Sequence, residues 1–404
     1  MAAPRNVRCE HNPSFLAQSG VTTISNFTRI TVPHQSGSGR LLWLDGARGI
    51  AAVAVMCYHY EELLHLGPLL SSAYLAVDLF FMMSGFVLSH SYEAKLRSGR
   101  LPTGKYMLSR AIRLYPTFLI ALALGAAYYG SKIVLRTADA PDTSALMSIL
   151  SRNLFFLPVT AGNLVPSGIY PLAPSGWSLA TEVVASILYG VLLARASTRL
   201  LIGFAVAFGA VFLADVAAFG SYDLGWGVQN FVPGIFRTLF EFTTGILLYR
   251  MSSYSSAKRW LSPAVLLAAV TGVFVLVTSP SFLVIGLSCY LLFPAFILSA
   301  EGRAVTGFLQ ATFHELGSVS YAVYLLHTPM FLWGTGMFKF ATRRESFANA
   351  SWLGWVLIGS TITASYVVAR FIDEPVRAWL NGRMRSRKQP LGALAARAEW
   401  DRVS

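Results

Sequence analysis

LLWLDGARGIAAVAVMCYHY, residues Leu41 to Tyr60, decides the fold. It is apolar enough to cross a bilayer, whose hydrocarbon core takes about 20 residues of helix. It also carries Asp45, Arg48 and His59. Ionisable side chains are costly in lipid unless they pair or face a cavity, so three in one span mark a functional line. A helix advances about 100° per residue, which puts Arg48 and His59 on nearly one face and Asp45 about 40° from His59. At about 1.5 Å rise per residue, Arg48 and His59 stand roughly 16 Å apart along the axis. Ala52, Val55 and Met56 fall between them. That face predicts a groove for a long ligand, with charge at one end and chemistry at the other.

The rest of the chain has the same character. Of its 404 residues 54% are hydrophobic and 13% charged, with a mean hydropathy of +0.54. Soluble proteins carry about 25% charged residues, so the composition reads as an all-α polytopic membrane protein embedded in a lipid bilayer. The net charge of +13 does not call for a nucleic-acid partner. It follows from Lys and Arg concentrated on cytoplasmic loops. Cys9, Cys57 and Cys289 form no CxxC pair, and neither a disulfide nor a metal site is expected.

Residues 1–40 are polar and aperiodic and read as a disordered cytoplasmic tail. Ten spans of about 20 residues follow, near 41–62, 69–91, 108–130, 176–195, 200–220, 231–250, 259–278, 281–300, 316–338 and 352–373. Residues 143–158 are shorter and interrupted by Arg152 and Asn153, and read as an interfacial or re-entrant helix on the outer side rather than an eleventh span. With the N-terminus inside, 23 Lys and Arg fall on the inner side and 6 on the outer. That split predicts an even number of spans with both termini cytoplasmic. The organisation is thus a membrane domain over 41–380, with an outer loop at 131–175 long enough to cover a substrate, and a basic cytoplasmic tail over 381–404.

Several further residues point to chemistry. Asp78 lies within the second span, in AVDLFFMMSGFVLSHSY, and needs a cation, a proton or a site. Ser84 and Gly85 either form a small-residue packing seam or admit a ligand closely. Arg110 and Arg113 share a face at the start of the third span; they are positive-inside charge or a phosphate clamp. Glu182 stands at a depth comparable with His59, so it pairs with that imidazole or with a span arginine such as Arg237. Arg237 and Glu241 are spaced to neutralise one another. Trp177 sits at the interface. His327, mid-span before Pro329, is a packing residue or a substrate contact.

LDGARGIAAVAVMCYH, VDLFFMMSGFVLS, SRAIRLYP, WSLATE and GSVSYAVYLLHTP, in that order, resemble the acyltransferase-3 family of integral membrane O-acyltransferases over about residues 41–380. The resemblance implies transfer of an acyl group, usually acetyl from acetyl-CoA, to a hydroxyl of a carbohydrate, glycan or related small molecule. Acyl-CoA is then a co-substrate, with no tightly bound cofactor. The roles implied are His59 as general base, Glu182 or Asp78 orienting it, and Arg48, Arg110 and Arg113 holding CoA phosphates. Trp177 and His327 would meet substrate, and Asp45, Ser84, Gly85 and Arg237 would be structural. The expected location is the cell membrane; nothing in the sequence fixes an oligomeric state. The competing expectation is a proton-coupled secondary transporter using Asp78, Glu182 and His59 as a relay.

Overall fold

The computed structural model describes residues 41–160, 168–252, 261–344, 346–347 and 350–386. The N-terminal tail over 1–40 and most of the C-terminal tail lie outside the described residues.

Among these residues the secondary structure is helical. The opening stretch is α1, Leu42–His59, followed by a single turn, α2, Glu61–Leu64. Two long helices follow, α3 (Ala76–Arg97) and α4 (Thr103–Val134), the latter running through Pro116. The short helix expected within 143–158 is α5, Thr143–Leu154. Next come α6 (Gly176–Leu188, extended by a π turn over Tyr189–Leu193), α7 (Thr198–Phe219) and α8 (Phe231–Ser252). A shorter apolar helix, α9, spans Pro263–Leu276. α10 (Phe282–Leu287) and α11 (Phe293–Ala300) join through a π turn over Ser288–Leu292. α12 (Phe308–Thr342) is the longest helix. The last rod comprises α13 (Trp352–Val367), a π turn over Val368–Asp373, and α14 (Glu374–Ser386). α14 continues past residue 380, where a tail was expected to begin.

Each of the ten expected spans falls on a helix. Seven helical stretches among the described residues are long and apolar enough to cross a membrane: those beginning at Ala73, Thr103, Gly176, Thr198, Phe231, Phe282 and Trp352. α9 is apolar but shorter. α1 and α12 fall outside the seven, and α1 is the helix that carries Asp45, Arg48 and His59. The described residues are therefore helical throughout their regular structure, and their apolar helices are those of a membrane protein. Their outward faces agree with that: Ile202, Val206 and Leu213 on α7, and Trp352, Trp355 and Val356 on α13, are exposed apolar side chains.

Two backbone-to-backbone approaches set the bundle's centre. Gly85 of α3 faces the Phe242 carbonyl of α8, and a Cβ there would lie 2.0 Å from that oxygen. Gly245 of α8 returns the approach, with its virtual Cβ 2.0 Å from the Met82 carbonyl. The packing-seam reading of Gly85 is thus what this contact embodies, since only glycine permits it. α1 is locked against α12 in the same manner. Gly46 faces the Phe313 ring, Gly49 faces Leu316, and Gly317 faces Asp45. This second seam holds α1, and hence its polar line, in a fixed register with α12.

Candidate active site

α1 places its two polar ends in two adjoining cavities. The first, about 190 Å³, is lined by Arg48, Arg110, Arg113, Ser84, Ser178, Glu182, Ser320, Tyr321 and apolar side chains of α3, α4 and α6. The second, about 520 Å³, is lined by Val55, Tyr58, His59, Glu61, Tyr74, Trp177, Asp223, Trp226 and neighbours. Val77 of α3 and Tyr324 of α12 line both, so they form the wall between them. Of the residues expected between Arg48 and His59, Val55 reaches the second cavity. Ala52 and Met56 pack instead with Val323 and Leu357.

The three arginines of the first cavity come from two helices. Arg48 pairs with Asp45 one turn back on α1. Arg110 Nη2 donates to Glu182 Oε1 at 2.9 Å, and its Nε is buried with no partner. Arg113 lies 3.8 Å from Asp373 and over the Tyr321 ring at 5.6 Å. Each guanidinium is thus steered by a carboxylate or an aromatic face. A guanidinium held this way still offers forked N–H donors to a phosphate.

Glu182 lies away from His59. Its Oε1 takes Arg110 and also the Ser84 hydroxyl, which donates at 2.7 Å. A nearby arginine offers a carboxylate in low dielectric more than a neutral imidazole does, which accounts for this choice. Asp78 is likewise elsewhere. Arg237 grips it with two bonds, Nε to Oδ1 at 2.7 Å and Nη2 to Oδ2 at 2.6 Å, and both residues are fully buried. The expectation that Arg237 and Glu241 neutralise one another is corrected by this grip: a fork satisfied by Asp78 replaces a single neighbour on the same helix. Arg237 Nη1 also donates to the Leu224 carbonyl at 3.1 Å and lies 3.5 Å from Asp223. Among the described residues, no hydrogen bond or ion pair joins Asp78 or Glu182 directly to His59, so the contacts do not favour the proton relay of a secondary transporter.

His59, the last residue of α1, presents accessible surface to the second cavity. Its ring stacks on that of His327, with centroids 5.1 Å apart and planes inclined by 23°. His327 is fully buried and lines neither cavity; its Nδ1 lies 3.3 Å from the Val323 carbonyl and its Nε2 has no partner. Tyr60, the residue after His59, donates to the His327 carbonyl at 2.8 Å and fixes the two chain segments together. Trp177 stands in the wall of the same cavity against Phe81, and Gly225 lets the chain pass its ring where a Cβ would come within 2.2 Å. The outer loop contributes Gly168, Pro174 and Ser175 to this cavity, and residues 161–167 lie outside the described residues.

Asp223, Tyr324 and Ser178 are among the site residues that sequence alone did not single out. Asp223 sits in the polar connection between α7 and α8 and carried no motif. Tyr324 lies inside GSVSYAVYLLHTP, and its helical stripe with Ser320, Tyr321, His327 and Phe331 was the available signal. Ser178, whose Oγ is 2.6 Å from the Tyr324 hydroxyl, closes the wall from α6.

Comparison with known proteins adds the family. The acyltransferase-3 model, described as an acyltransferase domain, matches residues 41–370. A curated relative, "Protein 2 in picA locus" of Rhizobium radiobacter, is 37% identical over 175 residues, covering 41% of this chain and 88% of the relative. No solved structure matches. The match spans α1 through α13 and includes the residues lining both cavities, so this chain belongs to the acyltransferase-3 family and is a membrane acyltransferase.

Proposed function

We propose that this protein transfers an acyl group, in the first instance acetyl, from acyl-CoA to a hydroxyl of a carbohydrate or related acceptor, with His59 as general base. One observation carries the reading: the two ends of α1 open into adjoining cavities, one lined by Arg48, Arg110 and Arg113, the other by His59, with Val77 and Tyr324 lining both. The arginine cavity suits the phosphates of CoA, and the roughly 16 Å between Arg48 and His59 suits its extended arm. Arg110 Nε is a buried donor in search of an acceptor.

In the reaction, an imidazole nitrogen of His59 takes the proton of the acceptor hydroxyl as its oxygen attacks the thioester carbonyl. A C–O bond forms, the C–S bond breaks, and the CoA sulfur leaves with the proton that His59 carries. His327 backs the His59 ring, and Tyr60 fixes the backbone behind it. Glu182 sets the Arg110 guanidinium rather than the base. We further assign ten spans, both termini to the cytoplasm and the protein to the cell membrane, from the Lys and Arg split.

Steady-state kinetics with acetyl-CoA test the donor site. Arg110→Ala and Arg113→Ala should each raise KM for acetyl-CoA by roughly tenfold, the value of a charge-assisted hydrogen bond, with kcat within about threefold of wild type. An unchanged KM in both variants would remove CoA phosphates from this cavity.

A further inference from the structure

We infer that the His59 cavity selects its acceptor by charge, taking neutral or positively charged glycosides and turning away uronates and sugar phosphates. The inference rests on reading this cavity as the acceptor site and goes on to name the class it admits. At about 520 Å³ it has the size of a small-molecule pocket, which runs from about 300 to 1,000 Å³.

Its walls divide into two kinds. Tyr58, Tyr74, Trp177 and Trp226 supply aromatic faces and edges, which pack on the C–H surfaces of a sugar ring. Asp223 and Glu61 supply carboxylates, which accept hydrogen bonds from hydroxyl or ammonium groups. No Lys or Arg is among the described residues that line it.

Among the described residues, the arginine that contacts Asp223 is Arg237, and it does not reverse this balance. Arg237 is fully buried, with two short bonds to Asp78, and its contact to Asp223 is long at 3.5 Å. Asp223 keeps 35% of its side-chain surface accessible while Arg237 keeps none. The cavity therefore presents a carboxylate whose arginine partner is buried behind it. The neighbouring cavity is lined by three arginines and one carboxylate, Glu182. An anionic acceptor here would meet two carboxylates and no lining Lys or Arg among the described residues, the repulsive element by which sites reject a wrong partner. The same sorting keeps CoA phosphates out of the acceptor's place.

Equilibrium dialysis on the full chain in lipid nanodiscs tests the proposal without requiring turnover. The probes are three p-nitrophenyl glycosides that share one aglycone: the glucoside, the glucosaminide and the glucuronide. The wild type should bind the glucoside and glucosaminide at least about tenfold more tightly than the glucuronide. Asp223→Asn, which keeps the shape of the side chain, should narrow that ratio about fivefold, and Glu61→Gln provides a second, independent narrowing. Equal or tighter binding of the glucuronide by wild type, a ratio unmoved in both variants, or saturable binding of none of the three overturns the inference. CoA release from acetyl-CoA in the same nanodiscs reports separately on the acyl-transfer reading.

Discussion

The side chain that organises the buried charge is Arg237. It is fully enclosed, and its guanidinium holds Asp78 by two short bonds and the Leu224 carbonyl by a third. Removing one member of a buried pair leaves the other charge without a partner in low dielectric. Arg237→Ala should therefore lower unfolding stability in detergent by about 3–5 kcal/mol. The joint replacement Asp78→Leu with Arg237→Met should cost markedly less, and thermal melts of the purified variants compare the two. At this scale the sequence was informative about which residues matter and poor about which residue each one meets. Asp78, Glu182, Arg110 and Arg237 all stood out as charges in apolar helices, but local spacing favoured Arg237 with Glu241 and depth favoured Glu182 with His59. The partners actually chosen lie 159 residues apart for Asp78 and Arg237, and 72 apart for Arg110 and Glu182. Helical period carries no information on pairing at such separations.

Among elements, α3 and α12 decide whether the two cavities communicate. Gly85 brings α3 onto α8, and Tyr324 of α12 fills the wall with its hydroxyl 2.6 Å from Ser178 Oγ. A methyl at position 85 would meet the Phe242 carbonyl oxygen at 2.0 Å, so Gly85→Ala should destabilise by about 1–3 kcal/mol through overpacking, read as a lowered melting temperature. Tyr324→Trp adds bulk to the wall and leaves the arginine cavity's charges untouched. It should lower kcat by roughly tenfold or more while KM for acetyl-CoA stays near wild type, because a thioester held short of the base is misplaced rather than unbound. Tyr324→Phe should retain most of the activity. Here the sequence was more legible. The apolar runs lie on the helices observed, α5 is the short helix expected, and the small-residue pattern of SGF marks a seam. What it left out was the wall itself, because a tyrosine in an apolar run looks like ordinary packing until the helix facing it is known.

At the largest scale, the described residues from 41 onward are helices around two adjoining cavities, one lined by Arg48, Arg110, Arg113 and Glu182 and the other by His59, Glu61 and Asp223, and α1 contributes to both. The polar line of α1, already visible in residues 41–60, is the feature on which the proposed transfer reaction depends. The direct measurement is acyl transfer from radiolabelled acetyl-CoA by the purified full-length chain in nanodiscs, wild type against His59→Ala and His59→Asn. The account predicts label transfer and CoA release by the wild type. Both variants should lose about 10²- to 10⁴-fold in rate, with unfolding temperature and KM for acetyl-CoA close to wild type. Undiminished transfer in the two variants, or proton-coupled solute uptake by a wild type that transfers no label, would contradict it.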